Sequence, residues 1–306
     1  MPQNPLRWVV AIGLLSSFAL LFSCAADRGQ SPDVKDRGQS PEVIAAESFL
    51  ADIAHNVAGD RIRVGTLVPP DTDPHEFQPR PGDIARIRAT RALLVNGRGY
   101  EAWLAPSMAA LEGTRIIEAS GGAETSPGAA PSDPHLWMDP RKVLAYVETI
   151  RSALSGLYPA YAEDFSRNAA AYSKELVALD GRIRGVLSRL PEERRVLLTN
   201  HDALGHFASA YGFKVVGTVL EGTSSESAPS AKALSRLIDT IRSSGAGAIF
   251  LDVGENAAIA REVAKEGGVK VVTDLYVEGV SGPKGPAPTY IAMLEHDAEA
   301  VYDALR

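Results

Sequence analysis

Two copies of one tripeptide carry the first chemical signal, Asp73-Pro74-His75 and Asp133-Pro134-His135. Proline fixes its own φ and keeps the residue before it out of the helical region, so each histidine is presented from a stiff, extended turn. A ring aimed in advance loses less entropy when it takes a metal. Two further polar residues directly follow β-type runs. His201 comes after Arg195–Thr199, and Asp274 after Lys270–Thr273. Open α/β sheets bind their ligands at the carboxyl ends of parallel strands. His75, His135, His201 and Asp274 can therefore converge as three neutral nitrogen donors and one anionic oxygen, a set suited to Zn²⁺. Asp274 has a second reading, as the N-cap of a following helix.

The other histidines are expected to do less. His206 lies five positions after His201, about 140° round a helix of 3.6 residues per turn, and reads as packing or surface. His55 and His296 fall on amphipathic helical patterns and read as structural or solvated. No HExxH, no GxSxG elbow and no phosphate-binding glycine loop with its lysine occurs, so no catalytic residue is expected. With 31 Lys+Arg against 38 Asp+Glu the chain has none of the basic excess of a nucleic-acid binder. One cysteine excludes a disulfide framework or a multi-cysteine metal site within the chain.

These residues need a scaffold, and the hydrophobic patterning supplies one. Strand-like runs at Val43–Ala46, Ile62–Leu67, Ala92–Asn96, Arg115–Ile117, Arg195–Thr199, Lys214–Val219, Ala248–Asp252 and Lys270–Thr273 alternate with helical periods. That alternation predicts parallel α/β layers. One segment breaks it. From Tyr161 to Leu190 apolar residues recur in steps of three and four, with Pro159 before and Pro191 after. The expected fold class is α/β: two lobes, 43–160 and 191–306, each with a mostly parallel sheet, joined by one long linking helix over 161–190.

The N-terminus reads as an address. Trp8–Phe22 is an apolar run too short to span a bilayer comfortably, but it fits the core of a secretory signal. Leu21-Phe22-Ser23-Cys24 resembles the bacterial lipobox, which predicts cleavage of residues 1–23 and lipidation of Cys24. Residues 24–42 hold a short polar repeat, DRGQSPDVK then DRGQSPEV, with no face to bury, and read as a flexible tether.

The stretch FLADIAHNVAGDRIRVGTLVPPDTDPHEFQPRPGDIA from Phe49 resembles the opening of the zinc/manganese solute-binding lipoproteins of bacterial ABC importers. Val95-Asn96-Gly97 with Glu101-Ala102-Trp103, DPHLWMDP from Asp133, NHDALGHFASAYGF from Asn200, EGTSSESAPSA from Glu221 and TDLYVEG from Thr273 continue the likeness in order. It covers nearly everything after the tether. The resemblance implies two lobes on a linking helix, with metal positions at His75, His135, His201 and Asp274. The transported ligand would be Zn²⁺ or, alternatively, Mn²⁺ or iron. Manganese-type members usually have glutamate where His201 stands, which favours zinc. The long His-rich acidic loop of many zinc members is missing, since Gly121–Ser132 holds no histidine. The family commonly has tyrosine at the position of His206. The implied partners are an ABC permease, its ATPase subunit and, through the lipid, a membrane; the receptor itself is expected to be monomeric, exported and anchored. A metallohydrolase, needing an open coordination position and a general base, and an adhesin using the fold as a scaffold are the competing readings.

Overall fold

Eight short strands form two separate four-stranded sheets in the computed structural model, which describes residues 40–126, 129, 132–225 and 229–306. The leader, Cys24 and residues 24–39 of the expected tether lie outside the described residues. The first sheet comprises β1 (Val43–Ala45), β2 (Val64–Thr66), β3 (Ala92–Val95) and β4 (Ile116–Glu118), in the order β2-β1-β3-β4. The second comprises β5 (Val196–Thr199), β6 (Lys214–Thr218), β7 (Ala248–Asp252) and β8 (Lys270–Leu275), in the order β6-β5-β7-β8. Every neighbouring pair is parallel. Helices α1 (Ser48–Ala58), α2 (Pro81–Arg88), α3 (Pro140–Leu157), α4 (Ala162–Leu187), α5 (Gly205–Tyr211), α6 (Ala231–Ser244), α7 (Ala258–Gly267) and α8 (Tyr290–Leu305) cover their faces. Among the described residues no helix is long and apolar enough to cross a membrane.

Because both faces of each sheet are covered, the central strands β1, β3, β5 and β7 are buried along their whole length and their alternate residues serve different cores. Val43, Ala45, Ala92 and Leu94 join the core that holds α1, α3 and α4, whereas Ile44, Leu93 and Val95 pack with Ile87 and Leu104 on the opposite face. In the second sheet Leu197, Ala248 and Phe250 join that same large core, with Tyr290 and Met293 of α8. Leu198, Ile249 and Leu251 pack outward against Leu237, Ile241 and Val263 of α6 and α7.

Helix α4 carries the expected stripe through Phe165, Ala169, Tyr172, Leu176, Leu179 and Ile183, all at 5% exposure or less; beyond them Leu187 is buried where Val186 was expected, and Leu190 is buried past the helix end. Its 26 residues at 1.5 Å rise make about 39 Å. It packs against α1, α3 and α8. The α-helix ends at Leu187, three residues short of the expected end, and the chain reaches Leu190 through two tighter turns in which the Arg189 and Leu190 N–H groups donate to the Val186 and Leu187 carbonyls. α8 is tied back to α1, where Asp52 Oδ2 accepts the Tyr290 N–H at 2.9 Å.

The turns after β2 and β7 also meet. A Cβ on Gly254 would stand 3.5 Å from the Asp71 carbonyl and the Asp73 nitrogen, and its φ of +96° lies in the region that favours glycine.

Candidate metal centre

The two Asp-Pro-His segments fold into the same turn. Asp73 Oδ1 accepts the His75 N–H at 2.9 Å, and Asp133 Oδ1 accepts the His135 N–H at 2.9 Å. An aspartate that bonds the backbone two residues on closes such a turn around the fixed proline. Asp133 Oδ1 lies 2.8 Å from His135 Nδ1 as well, so one oxygen holds both the backbone and the ring. Asp73 instead uses its other oxygen to accept from Ser225 Oγ at 2.5 Å.

His201 stands just past the end of β5. Its Nδ1 lies 2.8 Å from Glu255 Oε1, which also accepts from Asn200 Nδ2 at 2.8 Å, while Glu255 Oε2 accepts the Asp252 N–H at 2.7 Å. Glu255 thereby fixes the ring and ties the ends of β5 and β7 together.

The fourth residue brought to the three rings is Glu278. Its Oε1 lies 3.0 Å from His201 Nε2, 3.2 Å from His135 Nε2 and 3.8 Å from His75 Nε2. One potential ligand atom from each of the four residues falls within 4.8 Å of the others. The ring centroids are 5.3 Å apart for His75 and His201, 5.4 Å for His135 and His201, and 6.1 Å for His75 and His135. His135, His201 and Glu278 are at most 2% exposed, and His75 is half-buried.

The loop carrying Glu278 is fixed from several elements. The Val277 N–H donates to Asp252 Oδ1, as does the Glu278 N–H at 3.2 Å. Asp297 on α8 accepts the Tyr276 N–H at 2.8 Å. The Val277 carbonyl accepts from Trp137 Nε1 at 2.7 Å, and Ser48 Oγ accepts the Val280 N–H at 3.0 Å. The Tyr100 hydroxyl donates to Glu278 Oε2. With Oε2 tied to Tyr100, Oε1 is the oxygen left facing the rings.

Asp274 is not brought to this cluster. The expected strand ended at Thr273, whereas β8 continues to Leu275 and places Asp274 inside it. The pairing of β7 with β8 slips between Phe250↔Val272 and Asp252↔Leu275, which inserts one extra residue on β8. Such a bulge breaks the alternation, and Thr273 and Asp274 are both exposed. The Asp274 carbonyl accepts from His296 Nε2 at 2.8 Å. The sequence reading missed Glu278, although a lone acid in Tyr276-Val277-Glu278-Gly279-Val280, flanked by apolar residues, is a signal of a buried charge. His206 packs without exposure on α5, its Nδ1 accepting the Ser126 N–H at 3.3 Å.

The electrostatics follow from this crowding. Burial alone would raise the Glu278 carboxyl, but the rings, His135 first, hold it well below the usual carboxylate range. Burial opposes charge on His201, yet its bonds to Glu255 and Glu278 carry its pKa up to about 10. His135 is likewise opposed by burial and still raised, by Glu278 and Asp133. Asp252, buried and facing Glu278 and Glu255, is pushed well above the usual range. With Asp133 and Glu255 accepting from Nδ1, the Nε2 atoms of His135 and His201 are the ones turned to the centre. Carboxylate–histidine pairs of this kind orient metal-ligating rings and raise their basicity.

Two parallel-sheet lobes sharing one core, with a buried three-histidine, one-carboxylate cluster at their strand ends, define the architecture of a cation receptor. Residues 43–304 match the family model described as zinc-uptake complex component A, periplasmic, and the chain belongs to that family, among the metal-binding receptors of ABC importers. It is 32% identical over 304 residues to the iron-binding protein YfeA of Yersinia pestis, covering 98% of this chain and 96% of the relative. It is 30% identical over 283 residues to the manganese-binding lipoprotein MntA of Halalkalibacterium halodurans, covering 92% of each. The solved periplasmic zinc binding protein TroA from Treponema pallidum matches with a TM-score of 0.80 at 27% identity, over 87% of this chain and 99% of its own.

Proposed function

We propose that this chain captures Zn²⁺ outside the cytoplasmic membrane, through His75, His135, His201 and Glu278, and hands it to an ABC permease and its ATPase subunit. The observation that carries the reading is the convergence of three imidazole Nε2 atoms and one carboxylate oxygen within 4.8 Å. Three nitrogens and one oxygen suit tetrahedral zinc. Glu278 is held to one free oxygen by Tyr100, which supports four-coordination over the larger coordination numbers of harder cations. The relatives named for iron and manganese supply the alternative cargo. Segments 43–160 and 191–306 act in this reading as two lobes about the helix 161–190. Lipoprotein relatives support export and anchoring through Cys24.

Zinc outbinds manganese at most nitrogen sites, so affinity in vitro does not identify the cargo. The test is uptake of radioactive zinc, manganese and iron by cells lacking the gene, with and without the chain restored. Zinc uptake should return alone. Restoration of manganese or iron uptake without zinc would overturn the zinc assignment and leave the receptor role standing.

A further inference from the structure

The opening that leads to the cluster has a chemistry of its own. A cavity of about 580 Å³ lies against it, and of the four cluster residues His75 alone is in its wall. The Nε2 of His75 is also buried without a hydrogen-bond partner. A metal arriving through this cavity therefore meets His75 first.

The walls are wrong for a bare cation. Among the described lining residues there is no carboxylate. The charged group there is Arg98, whose Nη1 donates to Thr125 Oγ1 at 3.2 Å and whose Nη2 donates to the Ala123 carbonyl. Both partners are neutral, and Arg98 forms no ion pair with the described acids. Phe77 and Trp103 stand edge to face at 5.0 Å beside it, and Trp103 Nε1 is a buried donor with no acceptor. A positive, aromatic mouth repels a free divalent ion and draws an anion, since the sign of charge lining a cleft selects what enters it. The size points the same way. A water takes about 30 Å³ of liquid, so a cation with six waters needs roughly 200 Å³, whereas sites for small organic ligands run from about 300 to 1,000 Å³.

We infer that this cavity is a second binding site, for the organic part of a small anionic metal chelate of the hydroxy- or polycarboxylate class, so that metal is taken from its complex and not only as the free ion. The inference rests on the cluster being a metal site. Arg98 holds the chelator's carboxylates, and the Trp103 ring walls the cavity beside its organic part. His75 Nε2 then donates its lone pair to the metal as one metal–oxygen bond to the chelator breaks. The other three cluster ligands displace the rest, His135 and His201 giving up their Nε2 protons to water as they bind, and the chelator leaves as the free carboxylate with its electron pairs.

The test is stopped-flow tryptophan fluorescence on the full chain, with free Zn²⁺ buffered at one value while zinc citrate is increased. The association rate should rise at least fivefold with zinc citrate. In Arg98→Gln that rise should shrink at least fivefold, Arg98→Lys should restore part of it, and both variants should keep the wild-type affinity for free Zn²⁺ within twofold. A rate that follows free Zn²⁺ alone, or an Arg98→Gln protein that responds to citrate like wild type, would overturn the inference. So would loss of free-ion affinity in Arg98→Gln, which would assign the arginine to the cluster. Failure of the wild-type chain to bind free Zn²⁺ at all would instead remove the metal-site reading.

Discussion

Zinc binding should expel more protons than three ordinary histidines can supply. At pH 7, three rings at the reference pKa of about 6.5 would together carry about 0.7 proton. In this cluster His201 has its pKa raised to about 10 by Glu255 and Glu278, against the opposing effect of burial, so it is essentially fully protonated at pH 7. His135 is raised too and adds at least about 0.2 proton, the share of a reference ring. The release should be at least about 1.2 protons per zinc, because a ring must lose its Nε2 proton before that nitrogen can ligate. Protonation of the metal-free rings competes with zinc below their pKa, so affinity should climb by more than tenfold per pH unit near pH 7. It should still be climbing above pH 8, well beyond the ordinary histidine range. Titration calorimetry in buffers of different ionisation enthalpy counts the protons directly. Glu255→Gln removes the carboxylate that His201 Nδ1 faces at 2.8 Å, so the count should fall, and the weaker orientation of the ring should cost about 10–100-fold in affinity at high pH. A wild-type release of 0.7 or less, or an unchanged count in Glu255→Gln, would refute the reasoning.

Further outcomes follow from the same geometry. Glu278→Gln should weaken zinc binding at least tenfold, about 1.4 kcal/mol, whereas Asp274→Asn should leave it unchanged; competition with a chromogenic chelator measures both. Asp297 is raised to about 8 by burial, so the folded chain holds a proton that the unfolded chain releases near pH 4. The stability linked to that proton is full below pH 4 and is lost as pH rises through 8, at about 1.4 kcal/mol per unit. Asp297→Asn should therefore flatten the decline in Tm of the metal-free protein between pH 5 and pH 8, and an unchanged slope would show the group to be ionised in the fold. The buried stripe of α4 has no internal proline, and sharp bending of a helix needs such a cause. Solution scattering should show no loss of several ångströms in radius of gyration on zinc binding, and such a loss would make α4 a hinge.

The parts of this fold that were legible in the sequence are those set locally. The Asp-Pro-His turns follow from proline's φ and an aspartate two residues away, so their shape was readable from three residues each. The α4 stripe was readable because its burial repeats over about six turns. The central strand runs were apolar on both faces and could be placed, but the strand ends could not, because pairing with a neighbour sets them. That is why Asp274 and Glu278 changed places. A bulge in the β7–β8 pairing carries β8 two residues further and turns Asp274 out, and the loop beyond it brings Glu278 in. Glu255 and Asp252 were not legible for the same reason. They act between strand ends whose adjacency exists only in the folded sheet.

The position of the bound metal is the decisive observable. Anomalous diffraction from crystals of the zinc-loaded protein, recorded above and below the zinc edge, locates it. The expected result is one strong peak bounded by the Nε2 atoms of His75, His135 and His201 and a carboxylate oxygen of Glu278, at about 2.0–2.2 Å from each. A peak beside Asp274, or none within bonding distance of the three histidines, would contradict it.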